Sequence, residues 1–238
     1  MLEIAVFNIE SAIAAIAAGA DRLELCENPF DGGTTPSYGT LQMVREKVSI
    51  PVFPIIRPRG GDFLFSEDEF AVMKKDIELC KQLGFEGVVI GLLLEDGNID
   101  EERTKILVKL AAPMEVTFHR AFDRAAQPLQ ALETIIRCGC KRILTSGQVP
   151  NAMDGKELIK QLIQKANNRI IIMPGSGVRS NNIKELAEYT GAKELHSSAR
   201  KLLSSQMDFT QLSMKEKLEN INVDVVEIQK MKQNISSL

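Results

Sequence analysis

The two histidines of this 238-residue chain stand in TFHRAFD, at His119, and in LHSSAR, at His196. Each closes a short apolar run, and histidine is the side chain best matched to proton transfer near neutrality once a neighbour fixes its tautomer. Asp123, Glu24 and Ser197 are the candidate neighbours. Glu24, His119, Asp123 and His196 therefore form the candidate catalytic set, for proton transfer or, in a variant reading, for holding a divalent ion. Arg57 and Arg59 flank Pro58 in RPRGGDF, a rigid turn whose glycines let guanidinium and backbone groups close on a carboxylate or phosphate. Gly175, Ser176 and Gly177 in MPGSG, Ser146 in LTSG and Ser197 in LHSSAR add amides and hydroxyls of the kind that hold an anion. Each candidate has a structural alternative: a histidine satisfied within the core, an arginine clamped on Glu24 or Asp62, a glycine pair serving a tight turn.

What must position these residues is a series of eight apolar runs, each passing into a pattern of helical period. Strands are expected near 2–7, 21–26, 51–57, 87–92, 114–119, 141–146, 169–174 and 193–196. Helices are expected near 9–18, 38–48, 66–83, 100–111, 127–138, 153–166 and 180–190. Polar residues gather where the runs end, and the carboxyl ends of parallel strands are where a (β/α)8 barrel keeps its active site. The expected fold is α/β, a (β/α)8 TIM barrel forming a single domain over 1–238, with its strands and first seven helices inside 1–200. Ser66 with Glu69, and Asp224 with Glu227, have capping-box spacing. The second pair opens VVEIQKMKQNI, whose Val225, Ile228, Met231 and Ile235 share one face and make an eighth helix. Residues 201–223 remain as a long connection after strand eight, of a length suited to a lid, a partner surface or local helix.

Strand alternation sends every second side chain into such a barrel. Glu3, Ala5 and Phe7 point inward from strand one, Arg22, Glu24 and Cys26 from strand two, and Phe53, Ile55 and Arg57 from strand three. Glu115, Thr117 and His119 do so from strand five, and Glu194 and His196 from strand eight. Buried charges need partners, so Glu24 and Arg57 are expected to neutralise each other or share a ligand.

Composition removes several function classes. A net charge of −3, no Trp and two Tyr leave neither a basic stripe nor stacking platforms, so nucleic acid is not an expected partner. The apolar stretch 9–20 is too short to span a bilayer and follows Glu3 rather than basic residues, which points away from a membrane. Four cysteines without a secretion signal read as free thiols of a cytoplasmic protein, and the CxC of Cys138 and Cys140 falls on the rim away from the polar cluster. Lys141 and Lys193 precede their strands, which disfavours imine chemistry, and no GxSxG, HExxH or dinucleotide fingerprint occurs.

The phrases ELC, GGTTPSYG, IPVFPIIRPRGGDF, EVTFHRAFD, RILTSGQ, IMPGSGVR and ELHSSAR, in this order and spacing, closely resemble the CutC family over residues 1 to about 200. The resemblance implies a TIM barrel, a cytoplasmic location, self-association into a homo-oligomer, and a role in copper homeostasis with copper ion binding. It further implies Cu(I) held by paired cysteines near the ends of the first two strands. The second of these is Cys26; the first falls in LEIAVFN, where similar chains read more like EVCVDN and this one carries Ala5 and Phe7. Cu(I) favours soft thiolates, and a lone one makes a poor high-affinity site. Two functions therefore stand side by side: copper handling through Cys26, and an acid–base enzyme acting on a small anionic or phosphorylated metabolite. In the second, Arg57 and the GSG amides hold the anion while Glu24 or His119 moves a proton. A barrel that senses the same anion without turnover is a third.

Overall fold

The computed structural model describes residues 1–215 and 218–236, and in it strands and helices alternate as expected. β1 (Leu2–Val6), α1 (Ile9–Ala17), β2 (Arg22–Leu25), α2 (Tyr38–Lys47), β3 (Val52–Pro54), α3 (Glu67–Gln82), β4 (Gly87–Ile90) and α4 (Glu101–Ala111) make the first half. β5 (Glu115–Phe118), α5 (Pro128–Cys138), β6 (Arg142–Thr145), α6 (Lys156–Ala166), β7 (Ile171–Pro174), α7 (Ile183–Thr190) and β8 (Leu195–Ser197) follow. The parallel strands run in two sheets, β3-β2-β1-β8 and β4-β5-β6-β7. A parallel bridge between Ile55 and Val89 joins them on one side.

Short strands buried on both faces are what helices packed around a closed parallel sheet require. Leu2, Ile4, Leu23 and Leu25 pack outward with helix residues such as Ile77, Leu107, Leu162 and Leu186 in one apolar layer. Inside, Cys26, Phe53, Ile55 and Val89 form a small separate cluster with Phe7 against it. Below that cluster lies charge. Arg22 pairs with Glu3 and, at 2.7 Å, with Glu194. Arg142 reaches Glu194 at 3.2 Å and Glu115 at 2.7 Å. Both guanidinium groups lie over the Phe53 ring, 5.2 and 5.1 Å from its centroid, so the aromatic face supplies attraction that two like charges withhold from each other.

The expected capping box at Ser66 and Glu69 is present in both directions. At Asp224 only half of the second one forms: its side chain accepts from the Val226 and Glu227 N–H groups, whereas the Glu227 carboxylate accepts from the Ser180 N–H and hydroxyl. The Asp224 N–H is already bonded to the Ala199 carbonyl, which frees Glu227 to tie α8 (Val225–Ile235) to the loop before α7. The connection expected over 201–223 is a hairpin arm rather than a plain loop. β9 (Arg200–Leu203) pairs antiparallel with β10 (Asn220–Val223); Glu216 and Lys217 between them, and Ser237 and Leu238 beyond α8, lie outside the described residues. The arm is moored by Asn8, whose Oδ1 caps α1 while its Nδ2 donates to the Ile221 carbonyl. Among the described residues no helix is long and apolar enough to cross a membrane.

Candidate functional site

A cavity of about 590 Å³ opens at the carboxyl ends of the strands. Glu24, Cys26, Arg57, His119, Asp123, His196, Ser176, Gly177 and Ser197 all line it, whereas Arg59, Ser146 and Gly175 do not. Arg59 is the clamp: it binds Glu69 at 2.6 Å and Asp62 at 3.0 Å. The Ser146 hydroxyl is fully buried and spent on Asp123 and the Val149 carbonyl. Gly175 serves packing, since a Cβ there would fall 2.4 Å from Leu144 Cδ1 and 3.1 Å from His196 Cδ2; its bareness lets β7 approach β8.

The floor is built by strand register. Glu3 lies level with Arg22 on one side and His196 on the other, and Ala5 lies level with Glu24, so these five residues point into the barrel together. His196 Nδ1 contacts Glu3 Oε1 at 2.8 Å and its Nε2 stands 3.7 Å from Glu24 Oε2. The second distance is too long for a hydrogen bond and leaves a charge contact. Burial pushes the Glu24 carboxyl up to about 7, partly offset by His196 and reinforced by the negative Glu3. Burial also acts on Glu3, but hydrogen bonds and charge from His196 and Arg22 outweigh it and hold that carboxyl down at about 2. Burial lowers the His196 pKa, yet Glu3 and Glu24 raise it on balance. Glu3, held ionised, thus favours the charged form of His196, and His196 faces a carboxyl pushed up to about 7.

His119 behaves otherwise. Its Nδ1 accepts the Ala121 N–H, which places the ring proton on Nε2, and Nε2 is buried without a partner. Burial, with Arg57 and Arg120 nearby, lowers its pKa to about 3. A neutral imidazole whose only lone pair is occupied is a donor and no base. None of the expected neighbours holds it: Asp123 instead clips the loop after β6, accepting from Thr145 Oγ1, the Ser146 and Gln148 N–H groups and Arg120 Nε. The Ser197 hydroxyl donates to the Val178 carbonyl and accepts the Ala199 N–H.

The expected Glu24–Arg57 pair does not form. Arg57 is 4% exposed and its guanidinium donates to the carbonyls of Asp31, Gly33 and Gly61 at 2.6 to 2.9 Å. Arg57 extends beyond the last residue of β3, so it reaches the loops of the rim while Glu24 stays on the floor. Sequence reasoning also passed over Glu3 as a functional residue, and over Arg124, Arg179 and Arg200, which line the cavity. Arg179 and Arg200 end the phrases GSGVR and HSSAR, so a search for cations just past strand ends would have found them. Among the described residues no carboxylate lies within ion-pair distance of Arg57, Arg124, Arg179 or Arg200.

Copper fits these residues poorly. The Cys26 thiol is 2% exposed among Phe53, Ile55 and Val89, and burial together with Glu24 pushes its pKa well above the ordinary range, whereas Cu(I) needs the thiolate. Ala5 occupies the neighbouring strand position. Among the described residues no group of three His, Cys, Asp or Glu side chains is placed to hold a metal. All four cysteines are buried free thiols.

Comparison with known proteins places this barrel. The family model described as CutC family matches residues 1–201. A family protein CutC from Chromobacterium violaceum is 51% identical over 209 residues, 88% of this chain and 85% of that protein. The human protein named copper homeostasis protein cutC homolog is 49% identical over 214 residues, 90% of this chain and 78% of its own length. A crystal structure from Streptococcus agalactiae named for CutC superposes with a TM-score of 0.80 at 32% identity, covering 83% of this chain and 98% of that one. Phosphoribosylanthranilate isomerase from Thermotoga maritima, with a TM-score of 0.62 at 15% identity over all of this chain and 98% of its own, shares the fold alone. The family match over residues 1–201 and the half of the aligned residues shared with the Chromobacterium violaceum and human proteins show that the chain belongs to the CutC family.

Proposed function

We infer that the chain takes part in copper homeostasis, the role for which its human and mouse relatives are named, and that it acts as an acid–base enzyme on a small anionic metabolite. The observation that carries the reading is the Glu24 carboxyl, set at 3.7 Å from His196 on the floor of a cavity lined by Arg57, Arg124, Arg179 and Arg200, which have no carboxylate partner among the described residues. Unpaired guanidinium groups around a concave site attract an anion, and a carboxyl that titrates near neutrality is the efficient proton carrier at physiological pH. Glu24 moves the proton, His196 stabilises the carboxylate form, and Glu3 orients His196. His119 donates a hydrogen bond instead of accepting a proton, which narrows the alternatives left open by sequence to Glu24.

A thermal-shift screen of phosphorylated and carboxylated metabolites tests this. A ligand at about 100 times its Kd contributes about 2.7 kcal/mol, and should raise the unfolding midpoint of a chain this size by roughly 5–10 °C. The shift should vanish in an Arg179→Ala, Arg200→Ala double variant. A collection in which no anion outperforms its uncharged analogue would remove the reading.

The same reading has the copper role run without a resident copper ion at Cys26. In an anaerobic Cu(I) competition titration against a chromophoric chelator, wild type and Cys26→Ala are expected to bind equally weakly. Tight, stoichiometric binding that disappears in the variant would restore copper to Cys26.

A further inference from the structure

Two separate groups of unsatisfied donors belong to cavity-lining residues, and they stand on opposite sides of the barrel. The first follows β7 and β8. Ser176 and Gly177 both adopt positive φ, 81° and 68°, and among the described residues the N–H groups of Ser176, Gly177 and Val178 donate to no protein acceptor. Successive free backbone N–H groups in a turn can form an anion-binding concavity. A serine tolerates this conformation only at a cost in backbone strain, so the turn is held by its surroundings: Ser176 Oγ donates to the Pro150 carbonyl at 2.7 Å. Arg179 and Arg200 stand beside it, linked through Arg179 Nη2 and the Arg200 carbonyl at 3.3 Å.

The second group follows β3 and β5. Three buried side-chain polar atoms among the described residues have no hydrogen-bond partner, and two of them, Arg57 Nε and His119 Nε2, belong to cavity-lining residues. Buried donors left unpaired are destabilising, and two of them at one cavity wall are the mark of a missing acceptor. The Phe63 ring, which also lines the cavity, packs against both, 4.8 Å from the Arg57 guanidinium carbon and 5.0 Å from the His119 ring. Glu24, on β2, and His196, on β8, occupy the floor of the same cavity.

We propose that the ligand is a phosphate monoester carrying a second acceptor oxygen, with the phosphate on the Ser176–Val178 amides, Arg179 and Arg200, and the second oxygen on His119 Nε2 and Arg57 Nε. The inference rests on the anion pocket proposed above and adds its two-ended form. A carbonyl or carboxylate oxygen satisfies the His119 side, since both accept from a neutral N–H beside a guanidinium.

Calorimetric titration of the full chain at pH 8 with inorganic phosphate, glycolate and 2-phosphoglycolate decides the matter. 2-Phosphoglycolate should bind at least about tenfold more tightly than phosphate, since one charge-assisted hydrogen bond is worth about that factor. The Arg179→Ala, Arg200→Ala double variant should weaken both. His119→Phe should remove the advantage of 2-phosphoglycolate and leave phosphate affinity unchanged. Independently of any variant, the His119 Nε2 proton resonance should move on adding 2-phosphoglycolate and stay in place with phosphate. Equal affinities for the two ligands, or an unmoved resonance, overturn the two-ended proposal and leave the single-anion pocket standing. Absence of binding by either ligand removes the phosphate assignment itself, and the metabolite screen above then decides separately whether any anion is bound.

Discussion

Glu194→Gln is expected to cost about 3–5 kcal/mol of stability, which breaking a buried ion pair from one side typically does. For a chain of this length that is a fall of roughly 6–20 °C in the unfolding midpoint. Glu194 Oε2 accepts from Arg22 Nη2 at 2.7 Å and from Arg142 Nε at 3.2 Å, and both arginine side chains are 4% exposed. Removing the carboxylate leaves two guanidinium groups against the Phe53 ring with Glu3 and Glu115 alone to balance them. The loss exceeds what a surface pair contributes because water does not reach the stranded charges. Urea unfolding of wild type and variant measures it; a change below about 1 kcal/mol, the level of an exposed pair, would show that the barrel interior is wetter than its packing indicates.

Sulfate, whose own charge is constant above pH 5, is expected to bind more weakly as pH rises through about 7, by about tenfold or more. The sign follows from Glu24. Its folded-state value is raised from 4.5 to about 7, so below that pH the floor is neutral and above it a carboxylate faces the anion. At an effective dielectric constant of about 20 and a few ångströms of separation, such repulsion amounts to a few kcal/mol. His196 on β8, Glu3 on β1 and Arg22 on β2 share this environment. Glu3 and Glu24 raise the His196 pKa, and loss of the imidazole proton acts on the anion in the same direction. Glu24→Gln should flatten the step near 7 and improve sulfate affinity at pH 8; once a substrate is identified, it should also reduce turnover by about 10²–10⁴. A wild-type profile that is level from pH 6 to 8 would place the Glu24 charge out of reach of the ligand.

The barrel was legible because its eight strands are short apolar runs separated by capped helices, and the period change from two to 3.6 is strong enough to read. Inward alternation was also right for Glu3, Arg22, Glu24, Phe53 and Glu194, because a strand has only two faces. Which inward residues meet was not legible. Alternation gives the face of a side chain but no height along the barrel, and height is set by the register between strands far apart in sequence. Thus Glu24 met His196 across β1, with Glu3 level with the histidine, and Arg57 turned to loop carbonyls. The hairpin arm escaped because β9, RKLL, is exposed throughout and does not alternate, while the alternation of NINV, with Ile221 and Val223 buried, lasts only four residues. The donor role of His119 depends on a backbone N–H two residues onward, which a residue pattern does not encode.

The closure of β1 against β8 has a consequence for how the chain is made. Glu3 and His196 are 193 positions apart, and at about 5–20 residues per second the ribosome needs roughly 10–40 s to deliver the second after the first. Throughout that interval β1 has a neighbour on one edge alone, and the carboxylate destined for the barrel floor has no imidazole to face. The Lys232–Asp21 pair that ties α8 beside β1 comes later still. A nascent chain stalled before residue 195 therefore displays an open strand edge to chaperones and to other copies emerging from the same message, so the barrel is most exposed to misassembly until its eighth strand has been made.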